Sequence, residues 1–256
     1  MLLTCFDPAR ECEDSMFHNK PTRKPRQDSR TLPTYTVPEA ASILAINRWT
    51  MAEWYDGSDP LLKASGSYLD NGNIRLLSFR DLEEAYKVQL LRTKHSKSMQ
   101  YLREALVDAR KESKSEHPLL DHKVLVFKFL ALDAPAKGKN PRRMIPLGTP
   151  MQMSLYLPDV IETWGKRIVE DEHGKGKQIF PWWNAKADDI SRPVSVSPEV
   201  LSGRLVVTGT RVPVEVLASY YASGRSVEQI AVLYRLEVDA VRKALQHLEP
   251  ELQKVS

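Results

Sequence analysis

The C-terminal stretch, residues 191–256, constrains the fold most, because its punctuation leaves few ways to arrange the chain. A short strand and turn is read at Pro193, Val194, Ser195, Val196, Ser197 and Pro198. Two glycines, Gly203 and Gly209, then bound the apolar run Leu205, Val206 and Val207, which reads as a second strand. Thr210, Arg211, Val212 and Pro213 lead out of it. Proline has no amide hydrogen, so Pro213 suits the first turn of a helix, where none is needed. Val216, Leu217 and Tyr220 carry that helix's apolar face to Gly224, a C-terminal stop. Ser226, Glu228 and Gln229 form a capping box that opens a second helix, expected to bury Ile230, Ala231 and Leu233. A turn at Tyr234, Arg235 and Leu236 leads to a third helix with Val238, Val241, Leu245 and Leu248 on one face. Two short helices joined by so tight a turn read as a helix-turn-helix. Its second helix carries Glu237, Asp239, Arg242 and Lys243; Arg242 and Lys243 are candidate DNA contacts, although a role in subunit pairing fits the helix's balanced charge as well.

Similar signals recur over residues 34–115. Thr36, Pro38 and Glu39 combine a cap, a first-turn proline and a capping box, followed by Ala40, Ala41, Ile43 and Leu44 on one face. After a break at Ala45, Ile46 and Asn47, a second short helix runs through Trp49, Met51 and Trp54 to Asp56 and Gly57. The pair reads as a second helix-turn-helix, with Trp49 and Trp54 as packing residues. Arg48 is open to two roles, base reader or ordinary surface arginine. Asn71 and Gly72, between Leu69 and Ile74, are a strong hairpin signal, and a hairpin directly after a helix-turn-helix has the character of a wing. Ser78 and Asp81 then cap a longer helix through Leu82, Ala85, Tyr86, Leu90 and Leu91. A further helix places Met99, Leu102, Leu106 and Ala109 on one side.

Residues 116–190 are strand-rich. The nearly unbroken apolar run 124–132, interrupted only by Lys128, reads as one strand covered on both faces. Met151, Met153 and Leu155 alternate with polar residues as a second strand, and the 137–143 segment between the two is a flexible basic loop. Pro158 starts a short helix that ends at Gly165. Residues 167–170 and 178–182 read as strands around a turn at Gly174 and Gly176. Phe180, Pro181, Trp182 and Trp183 form the densest aromatic stretch, open to three roles: packing between modules, anchoring a partner, or base stacking.

Residues 1–33 show no sustained apolar period. Lys20, Arg23, Lys24, Arg26 and Arg30, spaced by prolines, make either a solvated tail or a basic arm that adds phosphate contacts. The two cysteines, Cys5 and Cys12, lie in this leader and make neither a disulfide framework nor a full zinc site. A net charge of +4 permits a polyanionic partner without requiring one. No apolar run approaches a membrane span and no signal peptide is apparent, so a cytoplasmic location is expected. The six histidines are scattered, with His117 and His122 not aligned on a helix face. No phosphate loop or nucleophile motif is present, so neither an enzyme nor a bound metal or cofactor is expected.

Residues 34–115 resemble the winged-helix module of MerR-type regulators. That resemblance implies that Asn47, Arg48, Thr50 and Met51 face the major groove of double-stranded DNA, with Arg75 or Arg80 near the wing and a phosphate. Residues 191–256 closely resemble a small domain, formerly of unknown function, found as the antitoxin of bacterial toxin–antitoxin pairs. The likeness is carried by Gly203, Val207, Gly209, Thr210, Arg211, Val212, Pro213, Gly224, Ser226, Glu228, Ile230, Ala231, Tyr234, Val241, Ala244 and Leu245. Within this motif Gly209 permits a tight turn, Thr210 bonds local backbone, and Arg211 is expected to tie down carbonyls or a carboxylate. The full order resembles the longer Vap-type antitoxins, which neutralise a PIN-like ribonuclease toxin and bind their own promoter. Such toxins hold metal with carboxylates, so Arg142 and Arg143 are candidates for meeting an acidic mouth, with Trp182 or Trp183 as an apolar anchor.

The expected class is therefore α+β. A leader (1–33) precedes a winged helix-turn-helix (34–115), a small strand-rich middle domain (116–190) and a second helix-turn-helix (191–256). The expected function is that of a type II antitoxin acting as a homodimer on two-fold promoter DNA. The alternatives are a stand-alone transcription regulator without a toxin, and an assembly protein whose helix-turn-helix units only pack.

Overall fold

The computed structural model describes residues 28–65, 68–69, 74–93, 96–121, 124–126, 130–134, 143–148, 167–181 and 191–252. Strand β1 (Tyr35–Thr36) runs directly into helix α1 (Val37–Leu44). The capping box forms as expected: Glu39 Oε2 accepts from the Thr36 amide at 2.8 Å while Thr36 Oγ1 accepts from the Glu39 amide. Helix α1 ends on Ala45 in the left-handed region (φ 52), and helix α2 (Arg48–Asp56) begins three residues later. Strands β2 (Tyr68–Leu69) and β3 (Ile74–Leu77) pair antiparallel, and β1 lies on the other edge of β3, giving the order β1-β3-β2. The Asn71–Gly72 turn that motivated the hairpin lies outside the described residues.

Helix α3 (Phe79–Thr93) is capped by Ser78, whose amide donates to Asp81 Oδ2 at 2.7 Å. It is buried nearly all round, including Asp81, Glu83, Glu84 and Lys87. Buried charge is tolerable only when paired and hydrogen-bonded. Here Lys87 Nζ lies 2.8 Å from Glu83 Oε1 and donates to the Leu119 carbonyl. Asp81 accepts from Ser65 and Ser78. Glu84 meets His117 Nδ1 at 2.9 Å. Burial raises the Glu84 carboxyl above its ordinary pKa, and the hydrogen bond to Glu84 raises His117. Helix α4 (Met99–Ser113) and the short helix α5 (Pro118–Asp121) complete this end of the molecule.

The middle region corrects the sequence expectation. Residues 124–132 are not one strand. They are parts of β4 (Val124–Val126) and β5 (Leu130–Ala134), folded against each other with Val124 opposite Leu132. A uniform apolar run carries no marker of reversal, so its turn is invisible in the pattern. The next strand of that sheet is β6 (Arg143–Leu147), which places Arg143 opposite Ala134 in a strand and not in a loop. Arg142, the strand expected at 151–155, the helix expected after Pro158, and Trp182 and Trp183 lie outside the described residues. Strands β7 (Ile168–Glu170) and β8 (Gly176–Ile179) pair around Gly174 (φ 72) as expected, but Gly176 opens the second strand instead of lying in the turn, and that strand ends before Phe180. The end of the leader is also corrected: Arg30 bonds Asp28 and, at 2.8 Å, Asp171 beside β7, so it is held in the fold and not left on an arm.

At the C-terminal end, β9 (Val194–Ser195) pairs antiparallel with β10 (Val206–Val207). Helices α6 (Val214–Ala222), α7 (Val227–Tyr234) and α8 (Val238–Leu252) follow. Pro213 occupies the N-cap of α6 instead of its first turn, and the Ser226–Gln229 capping box forms. Leu233 departs from expectation, since it is 49% exposed. The class is α+β.

This C-terminal unit is docked on the N-terminal one. The Tyr35 hydroxyl donates to the Gly203 carbonyl at 3.0 Å, and His247 Nε2 lies 2.9 Å from the Ile43 carbonyl, both buried. Burial lowers the His247 pKa to about 4, so the imidazole is neutral and donates. A single apolar cluster joins Leu44 and Met51 to Ile179, Val207, Leu217 and Val241.

Candidate nucleic-acid interface

Helix α2 is amphipathic in a simple way. Met51, Trp54 and Tyr55 face inward and are buried, and the Tyr55 hydroxyl donates to the Asp81 carbonyl at 2.7 Å. This anchors the helix through its inner side and leaves Arg48, Trp49 and Glu53 outward. Met51 therefore does not face a groove; it is a core residue, because it sits one turn before the inward pair Trp54 and Tyr55. Trp49 is corrected in the opposite sense. It is 71% exposed, and its ring carries the Arg48 guanidinium 4.9 Å from the centroid. An apolar ring held in water beneath a stacked cation is the arrangement that sequence reasoning missed. The signal was available: position 49 falls opposite 51 and 54 on a helical wheel.

Asn47 is exposed and caps α2, its Oδ1 accepting from the Trp49 amide at 2.9 Å. Thr50 is half-buried beside it. Asn47, Arg48, Trp49 and Thr50 thus share the N-terminal turn of α2, where unpaired amides favour anions. A Cβ on Gly57 would strike the Glu53 carboxylate, so that charge lies over the opposite end of the helix.

The other expected contacts are elsewhere. Arg75, on β3, is ion-paired with Asp56 at the end of α2 and so braces that strand against the helix. Arg80 opens α3 and pairs with Asp121 at 2.9 Å, on a cleft that it shares with Arg30 and Gly176. Arg242 and Lys243 on α8 both face Asp239, Lys243 at 2.9 Å.

The glycine–threonine–arginine motif divides in its roles. Gly203 (φ +87) lies against the Tyr35 ring, and Gly209 (φ +77) makes an open turn. Thr210 Oγ1 donates to the Val207 carbonyl at 2.9 Å and accepts from the Val212 amide, as expected. Arg211 does not brace the domain. It is exposed and makes no hydrogen bond or ion pair among the described residues.

Residues 194–247 match the model of a family described as a protein of unknown function, DUF433. By fold the chain is similar to the crystal structure of Rv2018 from Mycobacterium tuberculosis, with a TM-score of 0.54 and 19% identity, over 83% of this chain and 97% of that one. No curated protein matches the chain. Among the described residues, no helix is long and apolar enough to cross a membrane.

Proposed function

We propose that the chain is a DNA-binding antitoxin of a type II toxin–antitoxin pair, which neutralises a PIN-like ribonuclease and binds its own promoter as a cytoplasmic homodimer. The observation that carries the DNA-binding part is the outward Arg48–Trp49 pair on the N-terminal turn of α2. Arginine suits the O6 and N7 acceptors of guanine, and an apolar ring suits a thymine methyl group. The ion pair between Arg75 and Asp56 supports this reading, because it fixes a wing strand against the same helix. The antitoxin part rests on the resemblance of the 191–256 motif, whose matched domain has no described function of its own.

The test is equilibrium binding to the native promoter fragment, with a scrambled duplex of equal length as control. Arg48→Ala should weaken specific binding by about 1–3 kcal/mol if the side chain reaches a base. Unchanged affinity for the promoter would remove α2 as the reader. Toxin neutralisation is scored separately, by co-expression with the ribonuclease of the adjoining reading frame.

A further inference from the structure

An open cavity of about 560 Å³ lies where the two ends of the molecule meet. One wall is Tyr35 with Glu39, Ser42 and Ile43 of α1. The other is the turn at Leu201, Ser202 and Gly203, with Glu215 and Ala218 on α6 and Leu248 on α8. The buried hydrogen bonds that dock the ends, Tyr35 to Gly203 and His247 to Ile43, close on residues of these walls. The seam is therefore pinned, yet it keeps this space. The turn is left-handed at three successive residues, Leu201 (φ 46), Ser202 (φ 54) and Gly203 (φ 87). L side chains avoid that region, and such strain gathers at ligand clamps. Small-molecule sites favour seams between domains and occupy about 300–1,000 Å³, which this cavity matches.

The chemistry of the walls selects the ligand. Ile43, Leu201, Leu205, Ala218 and Leu248 supply an apolar lining, and three charged residues, Glu39, Arg204 and Glu215, join them. Arg204 and Glu215 face each other at 3.1 Å and offset one another. Glu39 meets no cation among the described residues. Its Oε2 accepts from the Thr36 amide and the Thr36 hydroxyl, each at 2.8 Å, which holds the carboxylate in place. The uncompensated charge of the cavity is thus one positioned carboxylate. We propose that the cavity binds a small amphipathic amine, its ammonium on Glu39 and its apolar body against Ile43, Leu205 and Leu248. A carboxylate-bearing ligand would meet Glu39 as a like charge and would have to draw Arg204 from Glu215. The bound amine touches both ends of the molecule and so adds to the contacts that dock them.

The experiment titrates phenylbutylamine into the full chain by calorimetry at neutral pH, beside phenylbutanol and phenylbutyrate, which share its apolar body and differ in the head group. The unmodified chain is compared with Glu39→Gln and Ala218→Phe, each established as folded by circular dichroism. Glu39→Gln removes the charge and keeps an acceptor for the Thr36 amide, as Gln229 does for Ser226. Ala218→Phe fills the apolar wall; if it does not fold, Glu39→Gln decides alone. The amine should saturate one site, with the alcohol about 10-fold weaker and the butyrate weaker still. Glu39→Gln should weaken the amine by about 10-fold and leave the alcohol unchanged, whereas Ala218→Phe should weaken both. The amine should also raise the urea midpoint of the unmodified chain more than that of Glu39→Gln. Absence of saturable amine binding to the unmodified chain, or equal amine binding by Glu39→Gln, would overturn the proposal. Tighter binding of the butyrate than of the amine would place the head group on Arg204 and overturn it as well.

Discussion

Gly203 is where the two helical ends of the molecule meet, and replacing it with alanine isolates that contact. Its φ of +87 lies in the region L side chains avoid, so any Cβ costs about 1–2 kcal/mol in backbone strain. The added carbon would overlap the Tyr35 hydroxyl and sit 2.8 Å from its Cζ. Tyr35 is 4% exposed, and its hydroxyl donates to the Gly203 carbonyl. Displacing the ring therefore leaves a buried donor unmade, at about 1–3 kcal/mol. The sum is about 2–5 kcal/mol, or a urea midpoint lowered by about 1–3 M at the slopes usual for small proteins. Tyr35→Phe removes the colliding oxygen and leaves only Cζ, which a slight ring tilt accommodates. In that background Gly203→Ala should cost only the backbone strain, so the pair should be coupled by about 1–3 kcal/mol. Urea titrations of both single variants and the double variant measure this. A loss below about 1 kcal/mol for Gly203→Ala, or additivity within about 0.5 kcal/mol, would show that the close approach is not what holds the ends together.

Three further outcomes are expected. Burial lowers the His247 pKa from 6.5 to about 4, so between those values the unfolded chain binds a proton that the folded chain does not. The stability this residue contributes is thus complete above pH 6.5 and lost as pH falls toward 4, by about 3 kcal/mol. His247→Gln keeps a donor for the Ile43 carbonyl and should flatten the stability slope over that range; an unchanged slope would remove His247 as its cause. Lys87→Met leaves Glu83 buried without its partner and should cost about 3–5 kcal/mol, most of it recovered in Lys87→Met/Glu83→Gln, as thermal melts would register. A double variant no more stable than the single one would refute the pairing. Trp49→Ala should leave the denaturation midpoint within about 0.5 kcal/mol, because the ring is exposed, while weakening promoter binding. A large loss of stability would return Trp49 to the core.

Much of the local structure was legible because it is written in short-range chemistry. The capping boxes at Thr36 and Ser226, the Ser78 cap and the hairpin flanking 70–73 depend on residues within a few positions of one another, and each formed as expected. Legibility failed where periodicity was absent or pointed both ways. The apolar run 124–132 hid a reversal between β4 and β5, and the basic segment before Arg143 hid the start of β6. In the candidate site, Arg48 and Asn47 came out exposed as expected, but Met51 and Trp49 exchanged places. A resemblance assigns roles by position, whereas the inward face of α2 is chosen by what packs beneath Trp54 and Tyr55.

By itself the sequence determined that the chain is α+β and where its capped helices begin, because caps and turns are local requirements. Tertiary structure decided which charges are free to bind. Arg30, Arg75, Arg80 and Arg242 all read from the sequence as candidate contacts, yet each faces a carboxylate, in three cases from a distant part of the chain. The same holds for the docking of the two ends through Tyr35 and His247, whose partners lie 168 and 204 residues away. A pairing energy depends on distance in space, and no spacing along the chain encodes it.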